Sequence, residues 1–246
     1  MKLYLAHLFP ELQACNGDKG NILILQKGAQ WRNIEVKVET LSWDQPPRRL
    51  TGYDLIFWGS SPQLVIPLLE TLLFSWAPFL KEAVEKNKAL IAIGTAYQLL
   101  GESYYTPQRE ERPGIGVFKA HTVPGPRRLV GPIAVKVPGL DPPLPVVGFE
   151  NHQGWTYLKG SPPLGEVIYG HGNNSQDKTE GAHHGKAWGT YLHGPLLSKN
   201  PRLADFLLKQ ALEEKYPGLE LSPLDDRLEL EINRNIFRRF LPRGHR

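Results

Sequence analysis

Along the first hundred residues, short apolar runs alternate with stretches of helical period. Leu3–Leu8 reads as an opening strand, followed by a polar loop, Asn16-Gly17-Asp18-Lys19-Gly20-Asn21, and a helical run from about Ile22 to Trp31. Ile34–Glu39 alternates apolar and polar side chains with the period of two expected of a strand. Pro46-Pro47 breaks the chain, and Asp54–Trp58 is a short apolar strand that stops at Gly59. A long helix is expected within Leu64–Lys86, then a further buried strand, Ala89–Ile93, that stops at Gly94. Strands that are apolar on both faces and alternate with helices predict a mainly parallel sheet covered on both sides, a three-layer α/β fold. Ligands of such sheets bind beyond the carboxyl ends of the strands. Here those ends are the loops around Cys15–Asp18, Gly59–Gln63 and Gly94–Gln98.

The second half is richer in Gly and Pro. Ile133–Val137 and Val146–Glu150 read as short strands, and Trp188–Leu192 as another that runs into His193. Asn200-Pro201 is expected to open a helix reaching about Tyr216, with Asn200 as its N-cap. An amphipathic helix is expected over Asp225–Phe240. The domain reading is one unit over 1–224, with a C-terminal helix and basic tail over 225–246.

Composition changes this picture little. The chain has 246 residues, 41% of them hydrophobic, enough for a packed core. Its net charge of +4 owes much to Arg234, Arg238, Arg239, Arg243 and Arg246, which read as a solvated basic end rather than a nucleic-acid site. One cysteine, Cys15, excludes an intrachain disulfide and suits a cytoplasmic protein. Leu64–Leu80 is interrupted by Pro67, Glu70 and Pro78 and reads as a surface helix rather than a membrane span. The first residues are not a signal sequence, since His7, Pro10 and Glu11 interrupt the apolar stretch.

The candidate chemistry sits at Ala92-Ile93-Gly94-Thr95-Ala96-Tyr97-Gln98. A buried strand stops, small residues crowd a corner and a helix begins, which is the shape of a nucleophile elbow. Such a position activates a thiol and offers backbone N–H groups to an oxyanion.

This segment resembles the Gly-x-Cys-x-Gly-x-Gln elbow of class I glutamine amidotransferases of the GatD and CobB/CobQ-like kind, continued by Leu99-Leu100-Gly101. Four further segments carry the same resemblance in the family's order. They are Asn16–Asn21, Gly148-Phe149-Glu150-Asn151-His152, Tyr169–Asn174 leading to Asp177–Gly181, and Gly189–Pro195. The resemblance covers residues 3 to 210 and implies a flavodoxin-like class I amidotransferase fold. It places Gly94 where the family has its cysteine nucleophile and His193 where it has its general base. It places Arg128, in Arg128-Leu129-Val130-Gly131, where glutamine is bound, with Gln98, Gly59, Ser60 and Thr95 around the same substrate.

Several positions depart from the family. Gly94 has no side chain with which to form a thioester. Gly59-Ser60-Ser61-Pro62-Gln63 stands for the family's Gly-Gly-Gly-x-Asp, and Pro62 brings no N–H. Thr95-Ala96 replaces Gly-Gly, and Trp155 replaces an arginine and is a candidate plug for the substrate site. Pro195 stands where many class I enzymes have a glutamate that orients the histidine, which implies that a partner supplies the acid. Asp18 reads as a turn residue capping the next helix while bordering the pocket. Cys15 and Thr95 are alternative nucleophiles. His171, His183, His184 and His193 lack a metal-ligand spacing, so no metal and no cofactor is expected. Trp31, Trp43, Trp58, Trp76 and Trp188 read as core or interface residues.

The resemblance thus implies a GatD-like subunit that pairs with a Mur-ligase-like, MurT-type protein in amidating the peptidoglycan precursor lipid II. The missing thiol turns the expectation toward a partner subunit without glutaminase activity. An active glutaminase with another nucleophile, or a stand-alone binder of glutamine or a similar small molecule, stands as the alternative.

Overall fold

The structure, a computed structural model, describes residues 1–13, 17–46, 49–106, 108–140 and 144–240. Cys15 lies outside the described residues, as do Pro47, Arg243 and Arg246. The chain runs β1 (Lys2–Leu8), α1 (Lys19–Gln30), β2 (Glu35–Leu41), β3 (Leu55–Trp58), α2 (Ile66–Glu85), β4 (Ala89–Ile93) and α3 (Thr95–Leu99). It continues with β5 (Ser103–Tyr105), β6 (Glu111–Pro113), β7 (Ala120–Lys136), β8 (Val146–Leu158), β9 (Gly165–Tyr169), β10 (Thr179–Glu180), β11 (Ala182–His184) and β12 (Ala187–Thr190). Two helices follow, α4 (Pro201–Leu212) and α5 (Arg227–Phe240).

The central sheet has the order β11-β12-β4-β3-β1-β2. All its pairs are parallel except β11 with β12, which are antiparallel. Alternate residues of each inner strand face opposite layers. Leu3, Leu5, Leu55, Phe57, Ile91 and Ile93 pack with α1 and α4, whereas Ala6, Leu8, Ile56, Trp58, Leu90 and Ala92 pack with α2 and α3. This is the three-layer, mainly parallel α/β architecture expected from the uninterrupted apolar strands. The sheet brings the loops after β1, β3, β4 and β12 to one edge.

A second, mostly antiparallel sheet, β10-β9-β7-β5-β6 with β8 paired to β7, covers that edge. Here the sequence expectation is corrected. The two short strands expected at Ile133–Val137 and Val146–Glu150 belong to β7 and β8, a hairpin whose strands are 17 and 13 residues long. Its register shifts between Pro124 and Leu129. The prolines and glycine at 124–126 interrupt the strand pattern in sequence, yet at a bulge they leave the pairing on either side intact.

Other local corrections have similar causes. The strand expected to reach Leu192 stops at Thr190, because the Tyr191 N–H turns to Glu180 Oε1 (2.7 Å) rather than to a neighbouring strand. Asn200 precedes α4 but makes no side-chain cap bond. Instead it exchanges hydrogen bonds with the Val147 backbone (2.9 and 2.8 Å). Helix α5 is fastened by Asn233, whose Nδ2 lies 3.0 Å from Pro145 O, Lys199 O and Asn200 Oδ1.

Helix α2 runs through Pro78 without breaking, because Leu69, Leu73, Trp76, Leu80 and Ala83 bury one face along its length. Its outer face leaves Phe74 exposed. By length and composition alone, Gln63–Glu85 is apolar enough to cross a membrane. Trp58, Trp76 and Trp188 are core residues, whereas Trp31 is 70% exposed. Phe9 sits edge-on to Trp58 and Trp76, with ring centroids 5.3 and 4.6 Å away. Trp76→Ala empties the centre of this cluster and is expected to cost about 3–5 kcal/mol in urea unfolding. A cost below about 1 kcal/mol would show that α2 contributes little to the core.

Candidate functional site

The chain turns sharply between β4 and α3. Gly94 has φ 61° and ψ −115°, a combination that residues with a side chain adopt only under strain. The Gly94 N–H donates to Thr190 O (2.9 Å), and its own carbonyl accepts from Gln98 N (3.2 Å). These bonds fix the corner to the end of β12. Helix α3 is only five residues long.

His193 lies three residues beyond β12, is 2% exposed, and is held by its N–H to Phe149 O (2.9 Å). Its Nδ1 is 3.3 Å from Asp18 Oδ1. Asp18 is 1% exposed. Its other oxygen, Oδ2, accepts from the Ser60 N–H (2.9 Å). The expectation that Asp18 caps α1 is therefore corrected: it makes no side-chain cap bond and reaches across the sheet edge instead. A carboxylate of this chain thus already faces His193 Nδ1. The Pro195 ring lies on Gly20, with Pro195 Cβ 3.0 Å from where a Cβ of residue 20 would stand, and so packs the Asp18 loop close to His193. In the tautomer that donates from Nδ1 to Asp18, the lone pair of His193 is on Nε2.

A cleft of about 270 Å³ opens between the two sheets. Gly94, Thr95, Gln98, Ser60, Arg128 and His193 all line it, together with Asn151, His152 and Gln153. Arg128 is exposed at the rim, and its Nε donates to Asn151 Oδ1 (2.7 Å). Gln98 Nε2 donates to Tyr191 Oη (3.1 Å). Gly59 lies behind the cleft wall, where any side chain would strike Gln13 (Cδ at 2.9 Å) and Asp18 Cβ (3.2 Å). Gln13 in turn bonds His7 Nε2 (2.9 Å) and the Leu8 carbonyl.

Thr95 does not face His193 as a nucleophile. Its Oγ1 accepts from the Ser61 N–H (2.7 Å) and donates to Ser61 O (3.2 Å), which ties the loop after β3 to the elbow. Trp155 does not plug the cleft. It is buried against Gly125 and donates from Nε1 to Arg127 O (3.1 Å). His183 and His184 lie on β11 and His171 on the turn after β9. Among the described residues no three His, Cys, Asp or Glu side chains are grouped to hold a metal.

Sequence reasoning missed three parts of this site. The first is the Asp18–His193 contact, which joins residues 175 apart. The second is Asn151, which orients Arg128. The third is His152, stacked on Tyr191 with ring centroids 3.6 Å apart. Both Asp18 and the Asn151-His152 pair lay in recognised segments, so proximity to the motifs was the available signal. His152 Nδ1 is 2.6 Å from Gly154 O, the geometry of a donated proton. Burial holds His152 down to about 4, so it is a neutral wall of the cleft near pH 7.

Two buried carboxyls frame the same region. Glu150 accepts from the His171 and Gly172 N–H groups (2.8 and 2.9 Å), and burial pushes it up to about 7. Glu180 accepts from Thr190 Oγ1 (3.1 Å) and Tyr191 N (2.7 Å), and burial pushes it up to about 8.

A buried imidazole backed by a carboxylate, a sharp strand-to-helix corner and an arginine at the rim of one cleft define the frame of a class I glutamine amidotransferase. The sequence relationships agree. Residues 10–201 match the CobB/CobQ-like glutamine amidotransferase domain, and the chain belongs to that family. It is 34% identical over 244 residues to the lipid II isoglutaminyl synthase (glutamine-hydrolyzing) subunit GatD of Staphylococcus aureus, covering 97% of this chain and 96% of the relative. It is 33% identical to the GatD subunit of Streptococcus pneumoniae, covering 94% and 89%. Among solved structures, the fold is similar to the glutaminase domain of Trypanosoma brucei CTPS with bound acivicin (TM-score 0.58, 10% identity, 89% of this chain and 96% of that one). It is also similar to a glutamine amidotransferase from Thermotoga maritima (TM-score 0.53, 15% identity, 97% and 93%).

Two outcomes follow from this geometry. In ¹⁵N NMR, His193 is expected to carry its proton on Nδ1, and Asp18→Ala is expected to abolish that preference; an unchanged tautomer would show that Asp18 does not orient the ring. The folded chain holds the Glu180 and Glu150 protons more tightly than the unfolded chain, whose carboxyls titrate near 4.5. Between about pH 4.5 and 8 the native state therefore binds more protons, and these groups make stability fall as pH rises. Glu180→Gln is expected to flatten the upper part of that slope in urea midpoints measured from pH 5 to 9. An unaltered slope would place the proton linkage elsewhere.

Proposed function

We propose that this chain is a GatD-like subunit of a lipid II-amidating ligase and contributes no glutaminase activity of its own. Gly94 stands in this reading at the position of the family's cysteine nucleophile. The observation that carries it is the corner at Gly94, which keeps a sharp elbow at positive φ and offers no side-chain atom to attack a carboxamide. A base without a nucleophile leaves acyl transfer with no covalent route, and loss of the nucleophile in comparable triads costs several powers of ten in rate.

The GatD relatives are subunits by name, and their similarity extends over nearly all of both chains. This supports a surface fitted to a Mur-ligase-like, MurT-type partner in the cytoplasm. In this reading the chain stabilises or regulates that ligase, which takes ammonia from solution. The cleft, with Arg128 at its rim and Gln98 inside, retains the means to hold glutamine or a similar amino acid. Of the two alternative nucleophiles, Thr95 is engaged on both sides by the Ser61 backbone, and Cys15 lies outside the described residues.

The test is ammonia release from glutamine by the purified chain, alone and with its co-expressed Mur-ligase-like partner. No release above background is expected in either case. Release that disappears in Thr95→Ala or Cys15→Ala would overturn the reading and identify the residue responsible.

A further inference from the structure

Ser60 occupies the space that a side chain at position 94 would need. A Cβ built on Gly94 would overlap Ser60 Oγ and lie 2.8 Å from Ser60 Cβ and 3.0 Å from His193 Cε1. Carbon atoms not bonded to each other do not approach that closely in a packed interior. The hydroxyl also faces the amide of the next residue, with Thr95 N donating to Ser60 Oγ at 3.4 Å. That amide is the group an elbow presents to an oxyanion.

Ser60 cannot simply step aside. It is 6% exposed. Its own N–H is held by Asp18 Oδ2 (2.9 Å). On one side Gly59 lies tight against Gln13 and Asp18. On the other, Ser61 is bonded twice to Thr95 Oγ1 (2.7 and 3.2 Å). Rotating the hydroxyl moves Oγ but leaves Cβ in place, so relief requires the loop backbone to shift. Because Asp18 holds both Ser60 and His193, such a shift would also disturb the base.

We infer that Ser60 and Gly94 are a compensating pair, in which the hydroxymethyl group of Ser60 fills the elbow from across the cleft and blocks it against a side chain at 94. The inference rests on the reading of position 94 as the nucleophile's place. It adds that the site is closed by two coupled positions, so that returning a thiol to 94 restores reactivity only when Ser60 is shortened.

The experiment uses the full chain in a Cys15→Ala background, so that position 94 carries the sole thiol. Gly94→Cys, Ser60→Ala/Gly94→Cys and Ser60→Gly/Gly94→Cys are treated with acivicin, and labelling is followed by intact mass. In the reaction the thiolate forms a C–S bond to the ring carbon, the C–Cl bond breaks, chloride leaves, and the thiol proton passes to His193 Nε2. Labelling of Gly94→Cys alone is expected to be roughly tenfold or more slower than that of Ser60→Gly/Gly94→Cys, with the alanine variant between them. Thermal melting gives a second measure. Gly94→Cys is expected to lower the midpoint, and Ser60→Gly to recover part of the loss only when the thiol is present, a non-additive cycle. Equal labelling rates in all three variants, no labelling in any, or additive melting shifts would each overturn the pairing. Ammonia release by the unaltered chain would instead contradict the non-catalytic reading while leaving the ratio of labelling rates as the test of the pair.

Discussion

The two oxygens of Asp18 bind groups from two other segments of the chain. One accepts from the Ser60 N–H and the other faces His193 Nδ1. A carboxylate 1% exposed must be well partnered to remain there, and these partners come from the loops after β3 and β12. Asp18 therefore ties three loops into one wall, and the rest of the cleft is built on it. The corner at Gly94 is bonded to the end of β12, and Thr95 is bonded to the same loop as Ser60. The reactive end of the sheet is rigid because its loops are joined to one another rather than simply resting on the core.

On that frame, support and chemistry have separated. Groups that orient others are intact: Asp18 behind the imidazole, Asn151 behind Arg128, Glu180 behind Thr190 and Tyr191. In the reading proposed above, the group that is absent is the one that would form a bond to substrate, with Gly94 at its place. Ser60 and Thr95, beside Gly94, fill space and make hydrogen bonds, so the corner is packed and satisfied rather than hollow. A binding cleft can persist under these conditions, because its walls serve the fold as well as the ligand.

The parallel half was legible in the sequence because its inner strands are buried on both faces. Ala89–Ile93 is uniformly apolar, and its limits were read correctly. Asp54–Trp58 was placed to within a residue. Helix α2 was legible through its period despite Pro78. The hairpin of β7 and β8 was not, because Pro124, Gly125, Pro126 and Pro132 break the alternation and much of one face is exposed. At the site, elbow, histidine and arginine were found through their motifs, and the structure gathers them at one cleft. The roles of Asp18, Asn200 and Trp155 were not legible, since each depends on a partner distant in sequence or on the bend of the hairpin. Local rules gave Asp18 and Asn200 as helix caps; tertiary hydrogen bonds claimed both side chains instead.

The most direct measurement is a search for a covalent intermediate. The unaltered chain, alone and with the proposed Mur-ligase-like partner, is incubated with isotopically labelled glutamine, quenched in acid and analysed by intact mass and peptide mapping. The account predicts no γ-glutamyl adduct on any residue. An adduct that forms with glutamine and maps to Ser60, Thr95 or Cys15 would contradict it, and would show that the frame around His193 still carries out acyl transfer.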